Sequence, residues 1–242
     1  MATLQTILRQ SGVLAVAKPA GLATQAPPGL PSVEAWVREV AGPEGYVGMP
    51  HRLDRAVSGV LLVALTPRAA RKLSRQFERR QVRKTYRAIV AWPAAAAAAP
   101  LDACGATRVG RAEWRDLVEK VPDEPRARLA ADPDAAGVRE AVTLASVLGH
   151  VPGAPGRGLV ELEPLTGRMH QLRLQAAARG MPIVGDVLYG GPAADLAAPI
   201  GTVDARTTPI ALHAWRIEWS DPDTGRPVAA EAPLPAWWPA AD

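Results

Sequence analysis

The apolar run Val60-Leu61-Leu62-Val63-Ala64 stands directly after a cluster of charges, His51-Arg52-Leu53-Asp54-Arg55. A short, valine-rich apolar run of this kind predicts a buried strand over Gly59 to Leu65, and a buried strand commits the chain to a sheet with a core on it. Charged groups are seldom fixed beside such a strand unless they are paired or used. Asp54, a lone carboxylate between Arg52 and Arg55, is therefore a candidate for chemistry as well as for structure.

Other segments follow the same logic. Val13 to Ala17 reads as a short strand that ends at the turn Lys18-Pro19-Ala20-Gly21. Ser32 should cap a helix whose Val33, Trp36, Val37 and Val40 recur at helical spacing. Thr66-Pro67 opens a second helix, with Leu73 and Phe77 on its buried stripe and arginines on its outer face. Lys84 to Val90 alternates polar and apolar residues, as a half-buried strand does. Further strands are predicted over Ala141 to Leu148 and Gly158 to Glu163, then a helix from about Gly167 to Arg179. A hairpin closes the chain, Ala211 to Trp219 with Pro227 to Ala232, across Asp221-Pro222-Asp223-Thr224-Gly225. Residues of about 93–138, which open with six alanines between prolines, show no period and read as a low-complexity surface insertion, partly ordered at best. Strands outnumber helices without alternating with them, so the fold class expected is α+β, in one domain over 1–242.

Composition narrows the function. The net charge is only +4, but nine basic residues lie between Arg68 and Arg87 against the single acid Glu78. A face of that kind suits a polyanion, although a solvated helix face would have the same composition. Cys104 is the only cysteine, so no internal disulfide can form, and the alanine-rich surroundings without a histidine argue against a catalytic thiol. No amino-terminal signal pattern and no bilayer-length apolar run are present, so a cytoplasmic protein without membrane partners is expected. The four histidines show no metal-ligand spacing and no glycine loop is suited to cradle phosphate, so neither a metal nor another cofactor is expected.

Two further segments join the Asp54 loop as carriers of chemistry. In Lys84-Thr85-Tyr86 the strand alternation puts Lys84 and Tyr86 on one face. In Leu165-Thr166-Gly167-Arg168-Met169-His170-Gln171-Leu172-Arg173, Arg173 falls on the apolar side of the predicted helix. A guanidinium there needs a carboxylate, and Asp54 is the natural partner, with Asp186 also qualifying. Beside a guanidinium a carboxylate favours its charged form, which makes it a nucleophile or base; a purely structural Arg–Asp pair would look the same.

His51-Arg52-Leu53-Asp54-Arg55 with Ser58-Gly59 resembles the catalytic motif of the RluA-type pseudouridine synthases, which isomerise uridine in ribosomal and transfer RNA. Lys18-Pro19-Ala20-Gly21, Lys84-Thr85-Tyr86, Leu165 through Gly190, Leu212-His213-Ala214, Asp223-Thr224-Gly225 and Ala232-Pro233-Leu234-Pro235 follow in the family's order and spacing. The resemblance covers nearly the whole chain outside the alanine-rich stretch. It implies a pseudouridine synthase fold: a curved, mostly antiparallel mixed sheet flanked by helices, with the active site in a central basic cleft. It implies no cofactor and no amino-terminal S4-like RNA-binding domain, and a monomer is expected.

By the same resemblance Asp54 is the nucleophilic carboxylate, Tyr86 stacks on the target base, and Arg173 is the guanidinium paired with Asp54. Arg52 takes the space left by a flipped-out uridine, since a stacked base cannot react. The substrate-binding set is Arg52, Arg55, Lys84, Arg168 and His170, with Arg75, Arg79 and Arg83 on the basic face. The first step can be written as attack on the ribose, attack on the base, or removal of a ribose proton. Ala56-Val57, Leu65, Met169 and Gln175 depart from the family's usual residues, which leaves the target uridine open. The rival readings are an RNA-binding or assembly factor that has lost catalysis, and an N-glycosidase that would release free uracil.

Overall fold

The structure, a computed structural model, describes residues 4–92, 111–193, 196 and 208–239. Its contacts gather into two compact units, one mainly from Met1–Lys84 and His213–Trp238, the other mainly from Thr85–Leu196 with Ile210–Leu212.

The first unit holds β1 (Gln5–Gln10), β2 (Val13–Lys18), β3 (Ser58–Ala64), β9 (Leu212–Ser220, from His213 onward) and β10 (Pro227–Glu231). β1 pairs antiparallel with β2, and β2 with β3. β3 meets β9 in parallel through Ser58–His213 and Gly59–Ala214, and β10 pairs antiparallel with β9. β3 is the predicted buried strand: all seven residues are buried, and Leu61, Leu62 and Val63 expose nothing. At about 1.5–3 kcal/mol per fully buried Leu or Val, this strand anchors the unit. Gly59 is required where β3 enters. Its φ is +124°, and a Cβ would lie 2.2 Å from the Ala214 carbonyl oxygen.

Two helices pack in this unit. α1 (Val33–Ala41) starts as expected at Ser32, whose hydroxyl accepts the Ala35 N–H. α2 (Pro67–Glu78) is capped by Thr66, with Pro67 at its first turn, and buries Ala69, Leu73 and Gln76. Ala69 and Leu73 join Val13, Leu62, Ile217 and Trp219 in one core cluster. Gln76 pairs with the main chain of Ser220 in both directions, at 2.9 and 2.8 Å, and so fixes the helix to the end of β9. Arg68, Arg71, Lys72, Arg75, Arg79, Arg80 and Arg83 are all exposed, which realises the predicted outer face.

The second unit is an antiparallel sheet in the order β4 (Arg83–Ala91, from Thr85 onward), β8 (Arg157–Pro164), β7 (Arg139–His150), β5 (Ala112–Lys120) and β6 (Ala127–Leu129). The pairing is mostly antiparallel across both units, as an α+β reading requires. β5 and β6 are the ordered part of the stretch read as a surface insertion, partly ordered at best. Ala112, Trp114 and Val118 are buried, with charged neighbours outside, and this two-residue period is hidden by the density of Arg, Asp and Glu around it. The alanine run and Cys104 lie outside the described residues.

α3 (Gln171–Ala178) starts later than the sequence suggests, because His170 takes a left-handed conformation with φ 50°. Residues 171–176 are all buried, so the helix has no one-sided apolar stripe. Leu174 packs with Val118, Ala127 and Ala141, and Tyr189 packs against the same cluster.

Candidate active site

The Asp54 loop is held by main-chain groups. Lys18, 1% exposed at the end of β2, donates from Nζ to the carbonyls of Pro19 (3.0 Å), Leu22 (2.7 Å) and Arg55 (3.2 Å). Burial pushes this lysine down to about 7, the Asp54 charge works against that shift, and the Arg55 charge adds to it. Three carbonyl acceptors match the three donors of an ammonium, and a neutral amine would leave one of them empty. The Gly21 N–H donates to the Arg55 carbonyl at 2.8 Å, and Arg55 Nε returns a bond to the Gly21 carbonyl at 3.0 Å. One residue earlier than Asp54, the Leu53 N–H and carbonyl both bond the Thr24 hydroxyl, at 3.1 and 3.0 Å. The Val57 N–H closes the turn on the Asp54 carbonyl at 3.1 Å.

Asp54 is thus half-buried on a loop whose backbone is fixed on both sides, while Arg52 and Arg55 are exposed beside it. The exit is fastened too, by a 2.8 Å hydrogen bond between the buried Ser58 hydroxyl and His213 Nδ1. At the entrance His51 Nε2 accepts the Leu62 N–H at 2.9 Å, and its ring stacks on Phe77 at 4.7 Å. Burial pushes His51 down to about 3, and the nearby Lys84 charge adds to the shift. His51 is therefore a neutral acceptor that ties the loop to β3. Lys84 is half-buried, and burial lowers its own pKa.

The second unit fixes its candidates through side chains. Arg173 is buried, as the sequence indicates, and the carboxylate that holds it within its unit is Asp186, the second of the two considered. Nε donates to Oδ2 at 2.6 Å and Nη2 to Oδ1 at 2.7 Å. Its guanidinium also lies over the Tyr189 ring, 5.2 Å from the centroid. His170 Nδ1 is 3.0 Å from the Tyr189 hydroxyl, and Arg168 Nε donates to the Glu140 carbonyl at 2.9 Å. The Gln171 side-chain Oε1 accepts from the Thr166 hydroxyl (2.6 Å) and the Arg168 N–H (3.0 Å). Gln175 accepts from the Thr143 hydroxyl at 2.6 Å. It donates to Asp116 (2.7 Å) and to the carbonyls of Trp114 (3.1 Å) and Ala141 (3.2 Å).

Tyr86 is half-buried on β4 opposite Leu162, which lies opposite Ala145. Ala145 shares its face of β7 with Thr143, the residue that Gln175 grips, so Tyr86 belongs to the sheet face that carries α3. The candidates divide between the units. Arg52, Asp54, Arg55, Arg75, Arg79, Arg83 and Lys84 belong to the first, and Tyr86, Arg168, His170 and Arg173 to the second. Sequence reasoning passed over Lys18, Thr24, Gln171 and the support role of Gln175. The signal for Lys18 was available: a lone lysine closing an apolar strand must bury its charge or turn it out. Among the described residues no group of three or more His, Cys, Asp or Glu is placed to hold a metal, and no helix is long and apolar enough to cross a membrane.

The family model described as RNA pseudouridylate synthase matches residues 12–178. The chain is 38% identical over 197 residues to tRNA pseudouridine synthase C of Salmonella typhi, covering 80% of this chain and 70% of that protein. It is 33% identical over 231 residues to the dual-specificity RNA pseudouridine synthase RluA of Haemophilus influenzae, covering 95% and 92%. Among solved structures, human RNA pseudouridylate synthase domain containing 1 superposes with a TM-score of 0.71 at 25% identity, covering 96% of this chain and 84% of that one. The chain belongs to the RluA-type RNA pseudouridine synthase family and has the pseudouridine synthase fold. It is an isomerase that converts uridine to pseudouridine in RNA.

Proposed function

We propose that this isomerase uses Asp54 as its nucleophile on a uridine flipped out of ribosomal or transfer RNA, with Tyr86 and Arg173 completing the catalytic set. The reaction breaks the bond from N1 of uracil to the ribose, turns the base, and joins C5 to the same ribose carbon, with the proton leaving C5 and N1 ending as N1–H. Atoms balance without an oxidant, reductant or metal. A carboxylate that stays in place through both bond changes suits this chemistry. The single observation that carries the reading is the Asp54 loop itself. A half-buried carboxylate stands on a backbone fixed by Lys18, Gly21 and Thr24, with exposed arginines on either side.

In this reading Tyr86 stacks on the base and Arg52 fills the gap in the RNA. Arg55, Lys84, Arg168 and His170 contact the substrate near the reacting nucleotide, and the basic face formed by α2, its C-cap and the start of β4 carries the flanking strand on Arg75, Arg79 and Arg83. The protein works in the cytoplasm as a monomer, with 1–242 as one catalytic domain.

The decisive experiment maps pseudouridines in total RNA from cells with and without the gene, with Asp54→Asn supplied for rescue. At least one site should disappear on deletion and stay absent with Asp54→Asn. Restoration of every lost site by that variant would reject Asp54 as the nucleophile. The same map identifies the target, and its position in ribosomal or transfer RNA settles the substrate class. For the basic face, charge reversal at Arg75, Arg79 and Arg83 should weaken RNA binding and reduce the slope of log affinity against log salt by about 2, at roughly 0.7 per phosphate contact on a single strand. An unchanged slope would remove α2 from the RNA path.

A further inference from the structure

Arg173 stands in a clamp whose other members have no assigned part in the reaction. Its side chain is 5% exposed and that of Asp186 1%, so both charges have left water. A buried ion pair is weak as a source of stability, because desolvating two ions costs about as much as their attraction returns. What the pair does supply is direction. Asp186 grips the Nε–Nη2 edge through two near-parallel hydrogen bonds, which fixes the guanidinium plane and turns Nη1 away from Asp186.

The platform under Asp186 is rigid. The Gly185 N–H bonds the Pro192 carbonyl at 2.8 Å, and the N–H groups of Tyr189 (3.1 Å) and Gly191 (2.8 Å) both bond the Asp186 carbonyl. A Cβ on Gly191 would lie 2.0 Å from the Ile183 carbonyl oxygen, so the turn closes to a distance only glycine permits. The Val184 N–H fastens the segment to the Ile89 carbonyl of β4 at 2.9 Å.

Tyr189 completes the clamp from the other side. Its ring lies against the guanidinium, and its hydroxyl meets three groups: the Ala127 N–H at 3.0 Å, the Ala127 carbonyl at 3.1 Å, and His170 Nδ1 at 3.0 Å. A phenol has one proton to give. All three contacts are satisfied when it donates to the Ala127 carbonyl and accepts from the Ala127 N–H and a His170 protonated on Nδ1. The ring is then fixed at its hydroxyl end by β6 and cannot drift from the cation.

We infer that Asp186 and Tyr189 are positioning residues that preset the Arg173 guanidinium for the isomerisation, and that the β5–β6 hairpin takes part by holding Tyr189. This rests on the reading of Arg173 as a catalytic group. Misplacing a catalytic group by about 1 Å can cost on the order of 100-fold in rate.

The test measures single-turnover release of tritium from 5-tritiated uridine in total RNA of cells lacking the gene, with affinity for the same RNA measured separately. Asp186→Asn keeps the shape and removes the charge. It should lower the rate about 10-fold or more while affinity stays within about twofold, a split that general loosening of the fold would not produce. Tyr189→Leu, which removes both ring and hydroxyl, should lower the rate several-fold with the same split. A folded Asp186→Asn protein that turns over at the unmodified rate overturns the inference. So does a loss of rate matched by an equal loss of affinity. Should Asp186→Asn fail to fold, Tyr189→Leu decides on the same criteria. Arg173→Lys separates the two levels. If it retains full rate, Arg173 is not catalytic and the underlying reading falls; if it is slow while Asp186→Asn and Tyr189→Leu are fast, only the clamp falls.

Discussion

The supports of Asp54 and of Arg173 are built from different materials. Asp54 rides on a loop whose hydrogen bonds run mainly to backbone groups: the carbonyls of Pro19, Leu22 and Arg55 on Lys18, and the main chain of Leu53 on Thr24. Arg173 rides on a helix fixed to its sheet by side chains, with Gln171, Gln175, Asp186 and Tyr189 reaching across to Thr166, Thr143, Asp116 and Ala127. A backbone-held loop depends on very few side chains, and each of those carries several bonds. A side-chain network spreads the same task over many residues, so that one loss is partly shared. The first arrangement should therefore fail abruptly and the second gradually.

Lys18→Met is the sharpest way to break the contrast. The thioether fills the channel but takes the ammonium donor from three carbonyls, of which, among the described residues, only that of Arg55 keeps a second donor, the Gly21 N–H. At about 1–3 kcal/mol for an unsatisfied buried group, offset by relief from burying an ammonium, the net cost is about 3 kcal/mol. Because the Arg55 carbonyl is one of the three, the Asp54 loop loosens as well, and pseudouridine formation should fall by at least 10-fold, within the range of misplaced catalytic groups. Urea unfolding and the tritium-release rate check the two halves. A variant that lost stability but kept its rate would show that the loop is held without Lys18.

Gln175→Leu tests the other support with a smaller expected effect. Leucine matches the volume but offers nothing to the Thr143 hydroxyl, the Asp116 carboxylate, or the Trp114 and Ala141 carbonyls. Asp116 keeps a second partner in Arg179, 2.9 Å away, so the network is thinned rather than emptied. The expected cost is about 2 kcal/mol by urea unfolding, with the rate reduced less than in Lys18→Met. A larger loss than that of Lys18→Met would reverse the ranking of the two supports.

The difference in material also explains what was legible in the sequence. Backbone-held parts leave local signatures. Lys18-Pro19-Ala20-Gly21, Ser58-Gly59 and the caps Ser32 and Thr66 are short motifs, and the strand, turn and helix starts drawn from them agree with the structure. Side-chain networks leave none, because Gln171, Gln175 and Thr143 are ordinary polar residues until the fold places them. For the same reason α3 was read as an amphipathic helix starting at Gly167, although its first six residues are all buried and polar groups among them face partners. β5 was lost because charged residues at 113, 115, 116 and 119 drowned a two-residue period whose inward members are Ala112, Trp114 and Val118. Asp186 stood in view as a possible partner of Arg173, but the two-bond grip it takes on the guanidinium is not something residue spacing contains.

His51 provides the mildest test, and it sharpens the comparison by pH. It is a side chain serving the backbone-held loop, accepting the Leu62 N–H. Burial and the Lys84 charge hold it at about 3 in the folded protein, against an ordinary value of 6.5. The sign follows from proton counting. Between those two values the unfolded chain binds a proton on His51 that the folded protein refuses, so unfolding takes up protons and acid favours it. The stability His51 contributes is complete above 6.5 and is lost progressively as pH falls toward 3, at up to about 1.4 kcal/mol per pH unit from this group. His51→Gln keeps an acceptor but does not titrate. It should cost only about 1 kcal/mol at neutral pH and should flatten the acid slope between 6.5 and 3. Lys84→Met should act in the same direction by a different route, raising the folded pKa of His51 and narrowing that window. Urea unfolding of the three proteins across this range measures both effects. An acid slope unchanged by His51→Gln would show that the neutral imidazole is not what secures the entrance of the Asp54 loop.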